Sequence, residues 1–206
     1  MNAAIRIAQT LDLHLSHPTQ VVVFGTGALL LDPAFQERLR GRMTNDIDLI
    51  IPLDRELEIE ADQDFWGAIE ATNRDLEPTG LYLTHIFPEK EVVLMPSWKD
   101  HVQALDHPEF RHLRLVRPQM LDLIISKMGR GDAKDLDDVR TMLELEPIAY
   151  KDLVNAVENV QVPKVYMDIF PAARDRILDV AETFEKSHGL PNDFLPEPPK
   201  PPDIDI

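Results

Sequence analysis

Residues 20–51 read QVVVFGTGALLLDPAFQERLRGRMTNDIDLII, and this stretch decides the fold. A continuous apolar run over residues 20–24 predicts a buried strand, and the glycines within residues 25–27 predict a tight turn after it. The apolar residues that follow the turn predict a helix, and residues 46–51 predict a second strand. A strand, a turn, a helix and a further strand together indicate an α/β domain.

The rest of the first half adds elements of both kinds. Apolar residues at helical spacing predict helices, whereas β-branched runs bounded by turn residues predict strands. The predicted elements are a helix over residues 2–16, a helix from residue 28 to about 40 with a break near 32–33, a helix over 62–77, a β-hairpin over 81–87 and 92–95, and a strand over 113–116.

The pattern becomes helical from Pro118 onward. Pro118 suits the first position of a helix, residues 129–131 interrupt that helix with two glycines, and Asp132 is a suitable N-cap for the next one. Two more helices are predicted over residues 150–159 and 164–187. We therefore predict three regions, which are an α/β domain over residues 1–117, a helical region packed on it over 118–189, and a proline-rich acidic tail, extended or disordered, over 190–206.

Composition limits the functions that fit this chain. Its 206 residues include no cysteine, which excludes disulfides, thiolate metal sites and cysteine nucleophiles. The formal net charge of −16 argues against broad binding to nucleic acid, but a divalent cation can bridge carboxylates to a triphosphate, and a cationic substrate would also fit. The sequence shows no signal-peptide pattern and no apolar run long enough to cross a bilayer. We therefore expect a cytoplasmic protein that has no membrane partner.

The strongest chemical signal is the pair Asp46 and Asp48. Alternate side chains of a strand point to the same face, so both carboxylates are expected to lie together. Two such carboxylates repel each other unless a cation lies between them, and Mg²⁺ prefers a few carboxylates together with phosphate oxygens and water. The alternative is that both residues lie at a solvated strand entrance without a ligand.

The glycine turn before the helix has several interpretations. Glycines let a backbone approach a ligand, and a helix N-terminus offers free amides to phosphate oxygens. A dinucleotide-binding fingerprint is excluded because Leu30 occupies the position of its third glycine, and a P-loop is excluded because no Gly-Lys-Ser/Thr follows. Taken alone, the turn is more typical of a plain strand-to-helix connection.

Taken together, these motifs resemble the nucleotidyltransferase superfamily. Its members carry a hydrophobic strand ending in Gly-Gly or Gly-Ser, followed by a strand with Asp-x-Asp or Asp-x-Glu. The form Arg42-x-Thr44-x-Asp46-x-Asp48 is similar to the AbiEii-like group of abortive-infection toxins and their relatives. Residues 121–139, LDLIISKMGRGDAKDLDDV, resemble that group's helical stretch, in which a lysine precedes a Lys/Arg-Asp-x-x-Asp segment.

The resemblance covers roughly residues 18–145 and implies both a fold and a reaction. The implied fold is a nucleotidyltransferase-like mixed α/β sheet flanked by helices, with a C-terminal helical region. The implied reaction is transfer of a nucleotide from an NTP to an acceptor hydroxyl, with Mg²⁺ as cofactor and release of pyrophosphate. In such a reaction the metal neutralises charge on the phosphates, and the site positions the attacking and leaving oxygens in line.

The resemblance also implies roles for individual residues. Asp46 and Asp48 would hold Mg²⁺, Lys127 would approach the phosphates or the base, and Asp135 would orient Lys127 or the acceptor. The remaining residues expected at the nucleotide are Gly25, Thr26, Gly27, Arg42 and Thr44. Lys127 has an alternative role, because a lysine on an apolar helix can extend to solvent with only its stem buried.

The superfamily's third carboxylate, the base for the acceptor hydroxyl, has no clear counterpart. Glu91 is the candidate, although it also suits the tip of the predicted hairpin, and His85 is a second candidate. A lone histidine in a strand is more often a packed or half-exposed residue. A second difference is that Gly27-Ala28 stands where the superfamily usually has Gly-Ser, so the serine hydroxyl is missing. Thr26 offers a hydroxyl instead, but one position earlier in the chain.

Three functional hypotheses follow. The first is an active nucleotidyltransferase that acts on an RNA end, a protein side chain or a small molecule. The AbiEii-like resemblance adds the expectation that it is the toxin half of a toxin–antitoxin pair, with an antitoxin protein as partner. Three arginines, Arg111, Arg114 and Arg117, could form a basic patch for RNA. The second is a catalytically weak or inactive protein of this fold that binds a nucleotide or a protein partner. The third is an interaction protein whose tail docks on a partner.

Overall fold

The computed structural model describes residues 2–189. The acidic tail predicted over residues 190–206 lies outside the described residues. Within residues 2–189, no helix is both long enough and apolar enough to cross a membrane.

A mixed sheet forms the centre of the fold. Its five strands are β1 (Thr19–Phe24), β2 (Asp46–Ile51), β3 (Tyr82–Pro88), β4 (Gln103–Leu105) and β5 (Leu113–Arg117). They lie in the order β3-β2-β1-β5-β4. The pairs β1–β5 and β2–β3 are parallel, whereas β1–β2 and β4–β5 are antiparallel. The predicted mixed α/β sheet is therefore confirmed.

Helices flank this sheet and form the second half of the chain. They are α1 (Ala3–His14), α2 (Gly25–Leu31), α3 (Glu56–Ala61), α4 (Gln63–Leu76), α5 (Met120–Ser126), α6 (Ala133–Leu145), α7 (Tyr150–Val157) and α8 (Phe170–His188). Helix α1 packs on α4, α2 packs on β2, and α8 packs on both α6 and α7. The predicted C-terminal helical region is confirmed.

Local capping explains where several helices begin. The side chain of Asn2 accepts a hydrogen bond from the backbone N–H of Ala4 at the start of α1. Asp62 caps α4 in the same way, and Asp132 caps α6 by accepting from the N–H of Asp135 at 2.9 Å. Such caps satisfy backbone donors that have no partner inside the helix. The predicted N-cap at Asp132 is confirmed.

Alternation along the strands divides the buried residues between the two faces of the sheet. Val21 and Val23 of β1 belong to a large cluster that also contains residues of α1, α5, α6 and α8. Val22 belongs to a smaller cluster on the other face. Because the large cluster runs from α1 to α8, one continuous core joins the sheet to the C-terminal helices. The division of the chain at residue 117 stays a prediction.

The predicted hairpin is wrong. Strand β3 exists, but residues 89–91 form a 3₁₀ turn, and the following segment makes only an isolated bridge between Leu94 and Gln161. Val92, Leu94 and Trp98 instead pack in the smaller cluster with strand residues. Packing these apolar side chains against a sheet face removes their surface from water, which stabilises the observed arrangement.

Other boundaries also differ from prediction. Helix α2 ends at Leu31 instead of reaching residue 40, because Asp32 is extended, as residues before a proline tend to be. Pro118 is not the first residue of α5, which begins at Met120 after its N-cap Gln119. Strand β4 and helix α3 were not predicted, since β4 has only three residues and α3 buries none.

The suggested patch of three arginines does not form. Arg111 and Arg114 are exposed, but Arg117 is only 1% exposed. Its Nε lies 2.8 Å from Asp32 Oδ2, and its guanidinium lies over the ring of Phe35. Arg117 is therefore part of the protein interior and cannot contact an RNA phosphate.

Candidate functional site

Strand β2 places Asp46 and Asp48 on one face of the sheet. Ile47 and Leu49 alternate with them and are each 2% exposed in the main core. The strand is thus fixed by its buried residues, and both carboxylates are directed away from the main core. Both aspartates are partly buried. The expected shared face is therefore present.

A histidine of the neighbouring strand completes this cluster. Asp48 of β2 is the register partner of His85 on the parallel strand β3. His85 Nδ1 lies 3.2 Å from Asp48 Oδ1 and 3.9 Å from Asp46 Oδ2. One ligand atom from each of these three residues lies within 4.8 Å of the others, and among residues 2–189 this is the one such group able to hold a metal ion.

The carboxylate of Asp48 carries an unfavourable charge in this position. Burial raises its pKa above the usual value, and the negative charge of Asp46 raises it further, while His85, Lys127 and Arg130 act in the opposite direction. A divalent cation between the two carboxylates would remove both penalties. The residues present therefore fit a divalent cation.

The glycine turn lies directly against this cluster. Gly25 has a φ of +66°, and a Cβ added there would lie 3.1 Å from Asp48 Oδ2. A side chain would therefore be strained by its backbone conformation and would also crowd the carboxylate. On the other side, the hydroxyl of Thr44 donates to Asp46 Oδ1 at 2.7 Å. Thr44 therefore holds Asp46 in place, and Gly25 leaves the space beside Asp48 that a side chain would occupy.

The second predicted segment, residues 121–139, places the ammonium group of Lys127 at the same cavity. Lys127, in the 3₁₀ turn after α5, donates from Nζ to Asp138 Oδ2 at 2.7 Å. The same carboxylate oxygen accepts from the hydroxyl of Thr26 at 2.9 Å, and its other oxygen accepts from Arg42. Asp138 is 1% exposed. It therefore ties the glycine turn, Lys127 and Arg42 together.

The environment of Asp138 favours its charged form. Burial alone would raise its pKa, but the charge of Lys127 and the hydrogen bonds from Lys127, Thr26 and Arg42 outweigh burial and lower the pKa. Asp135 was predicted to orient Lys127 or the acceptor, and Asp138 was not predicted as a site residue. The sequence did contain a signal for Asp138. Asp135 and Asp138 are three residues apart on a predicted helix, so both were expected on the same face.

Asp135 has a different main partner. Its carboxylate accepts two hydrogen bonds from Arg130, at 3.0 and 3.2 Å, whereas Lys127 Nζ lies 3.4 Å from it. Asp135 is 1% exposed and lies on the wall of the cavity. Asp135 therefore holds the side chain of Arg130 more directly than it holds that of Lys127.

One cavity brings most of the predicted site residues together. Those on its wall are Gly25, Thr26, Gly27, Thr44, Asp46, Asp48, Glu91, Lys127 and Asp135. The cavity is also lined by four residues that were not predicted as site residues, namely Ser126, Arg130, Lys134 and Tyr166. Arg42 is not on the wall and pairs with Asp137 and Asp138 instead. Glu91 is an exposed residue on the wall, but it is not a member of the Asp46–Asp48–His85 group.

Comparison with protein families gives an independent result. A family model described as "Nucleotidyltransferase of unknown function (DUF6036)" matches residues 3–157. The match covers well over half of the chain and includes both aspartates of β2, the glycine turn, Lys127 and Asp138. The predicted membership of the nucleotidyltransferase superfamily is confirmed. No curated protein and no solved structure matches the chain.

Proposed function

The chain belongs to this nucleotidyltransferase family, and on that premise we propose that it transfers a nucleotide from an NTP to an acceptor hydroxyl in a Mg²⁺-dependent reaction that releases pyrophosphate. One observation carries the proposal. Asp46 and Asp48 share a cavity with the Gly25 turn and with the ammonium group of Lys127. A pair of carboxylates and a fixed cation at one cavity suit a metal-bound triphosphate.

Asp46 and Asp48 would hold the cation. When bound, Mg²⁺ neutralises charge on the triphosphate and fixes the reacting phosphate for in-line attack. Thr44 keeps the carboxylate of Asp46 oriented through its hydroxyl, 2.7 Å away. Gly25 leaves room beside Asp48 that a side chain would occupy.

Basic side chains on the wall would bind the triphosphate. Lys127 is held by Asp138, and Arg130 is held by Asp135, so both cations have fixed positions before a nucleotide arrives. Fixed charges need little reorganisation during reaction, which is the main source of electrostatic catalysis. Because the hydroxyl of Thr26 already donates to Asp138, Thr26 would contact the triphosphate through its backbone.

Glu91 would accept the proton of the acceptor hydroxyl. Its side chain is exposed at the cavity wall, where an acceptor can reach it from solvent. A carboxylate that removes this proton as the oxygen attacks acts as a general base. The acceptor is an RNA end, a protein side chain or a small molecule. The burial of Arg117 removes one of the three arginines that would have favoured RNA.

The test is a transfer assay with a matched control. Each of the four α-³²P-labelled NTPs is incubated with the protein, Mg²⁺, and either total RNA, a protein extract or the protein itself. We expect label transfer and pyrophosphate release by the wild type and by Asp100→Asn, an exposed aspartate outside the cavity, but not by Asp46→Asn/Asp48→Asn. Equal transfer by all three proteins would overturn the proposal.

A nucleotide-binding protein without turnover is the second candidate. It is favoured by the composition of the ligand group, in which His85 and not a third carboxylate joins Asp46 and Asp48 among the described residues. Binding of an NTP that depends on both aspartates, with no pyrophosphate release and no labelled acceptor, would select this candidate over the first.

The similarity of residues 42–48 and 121–139 to AbiEii-like proteins supports a finer proposal, in which the chain is the toxin of a toxin–antitoxin pair. Induced expression would then arrest growth of a bacterial host, and an antitoxin protein would relieve the arrest. The variant Asp46→Asn/Asp48→Asn, expressed at the same level, is expected to be harmless. Normal growth with the active wild-type protein would refute the toxin role.

A further inference from the structure

The imidazole of His85 lies where a third metal ligand is needed. For octahedral coordination at about 2.1 Å, adjacent ligand atoms are separated by about 3 Å. His85 Nδ1 lies 3.2 Å from Asp48 Oδ1 and 3.9 Å from Asp46 Oδ2. All three ligand atoms lie within 4.8 Å of one another, so movements of the side chains alone can bring them to the spacing that one shared cation needs.

The ring of His85 is also supported from one side. It stacks on Phe87, with a centroid distance of 5.7 Å and an interplanar angle of 15°. Phe87 in turn packs edge-on against Phe24, the residue that precedes the glycine turn. The side chain of His85 is 53% exposed, so its imidazole can be reached from the cavity without disturbing the core.

We infer that His85 is a protein ligand of the cation at Asp46 and Asp48, and that this site prefers a divalent transition-metal ion such as Mn²⁺ to Mg²⁺. Carboxylate and phosphate oxygens suit both ions, but an imidazole nitrogen suits transition metals better than Mg²⁺. The inference rests on the metal site of the proposed function and adds that this site, which accepts Mg²⁺, binds Mn²⁺ more tightly.

The test measures metal binding directly by electron paramagnetic resonance. Mn²⁺ is titrated into the full-length protein, the free-ion signal gives its affinity, and added Mg²⁺ gives the affinity of the competitor. We expect His85→Ala to lower Mn²⁺ affinity about tenfold and Mg²⁺ affinity less than about threefold, since an imidazole nitrogen contributes more to binding a transition-metal ion than to binding Mg²⁺. His101→Ala is the control, because His101 is exposed and is not on the cavity wall.

Two further readouts separate coordination from a structural role of the histidine. Electron spin echo modulation of bound Mn²⁺ is expected to show a ¹⁴N coupling in the wild type and in His101→Ala that is absent in His85→Ala. The variant His85→Asp supplies a third carboxylate and is expected to raise Mg²⁺ affinity, so that the preference for Mn²⁺ becomes smaller. Unfolding curves of all variants check that the fold is retained.

The outcomes distinguish this inference from the proposed function. Equal affinities of wild type and His85→Ala for both ions, or an equal loss of both, would overturn the role of His85. The metal site itself would survive if binding still required Asp46 and Asp48. A folded wild-type protein that binds neither ion, with or without an NTP, would overturn both proposals.

Discussion

Asp48 and Asp138 belong to the same site, but their carboxylates have opposite environments. Asp48 has a raised pKa, first because of burial and then because Asp46 lies beside it. Asp138 is more deeply buried and yet has a lowered pKa, because the charge of Lys127 and three side-chain hydrogen bonds outweigh burial. The difference separates a carboxylate that lies beside a second carboxylate from one whose positive partner is a side chain of the fold.

This comparison explains how the site is organised. The network around Asp138 fixes the glycine turn and Lys127, and it is complete without a ligand. In the group around Asp48, burial and the charge of Asp46 both oppose ionisation of the carboxylate and raise its pKa. A protein that is selected for binding keeps such unfavourable charges at its site and compensates for them elsewhere.

The largest expected effect follows the loss of Asp138. Asp138→Asn removes the closer of the two carboxylates that pair with the buried Lys127 ammonium, which costs up to about 3–5 kcal/mol of unfolding free energy. Urea unfolding measures the change. Asp137→Asn is the matched control, since Asp137 also pairs with Arg42 but its side chain is 64% exposed, and its loss is expected to cost less than about 1 kcal/mol. Similar costs for both variants would contradict the structural role of Asp138.

The hydrogen-bond network around Asp138 is also expected to affect how the unfolding free energy depends on pH. The folded pKa of Asp138 is lower than its usual value of 3.8, so the unfolded chain binds more protons. Asp138 therefore contributes fully to the unfolding free energy above the unfolded pKa of 3.8, and this contribution is lost as the pH falls through the lower folded pKa. Urea unfolding between about pH 6 and pH 3 should give a steeper acid decline for wild type than for Asp138→Asn. Parallel curves would show that Asp138 does not titrate in this way.

A smaller effect is expected at the glycine turn. Gly25→Ala places a side chain at a φ of +66° and is expected to cost about 1–2 kcal/mol. Gly80→Ala has nearly the same backbone angle, +68°, but its new Cβ would meet no atom within 4 Å. The two variants should lose similar stability, whereas only Gly25→Ala should weaken NTP binding in calorimetry, since only its Cβ reaches Asp48. Equal NTP affinities would show that the space beside Asp48 is not needed.

The smallest change in stability is expected at Asp48, and it has the opposite sign. Asp48→Asn removes the repulsion from Asp46 and should raise the unfolding free energy by up to about 1 kcal/mol. The same variant should lose metal-dependent NTP binding. Measured together, these results would identify Asp48 as a residue kept for binding. A marked loss of stability would instead place Asp48 with Asp138 as a structural group.

Much of the site could be predicted because its signals are local. The alternation of residues 46–51 places two aspartates on one face whatever surrounds the strand. Glycines mark the turn at Gly25 because few other residues adopt its backbone angle. Asp132 follows from capping chemistry that involves only the next few residues.

The features that could not be predicted depend on contacts between parts of the chain that are distant in sequence. Asp138 meets Thr26 and Arg42, which are about 100 positions away in sequence, and no local pattern reports such a contact. Residues 92–95 have strand-like composition, but packing against the sheet decided their structure. Arg117 was assigned to the surface because arginines usually lie there, whereas Asp32 allows it to be buried.

The most direct test of the account is calorimetric titration of each of the four NTPs, with Mg²⁺ or Mn²⁺, into the wild type and Asp46→Asn/Asp48→Asn. We predict that at least one NTP binds the wild type only when a divalent cation is present. We also predict that the variant folds normally but binds no nucleotide. Equal binding by the folded variant, or no binding by the folded wild type, would contradict the assignment of this cavity as a metal-dependent nucleotide site.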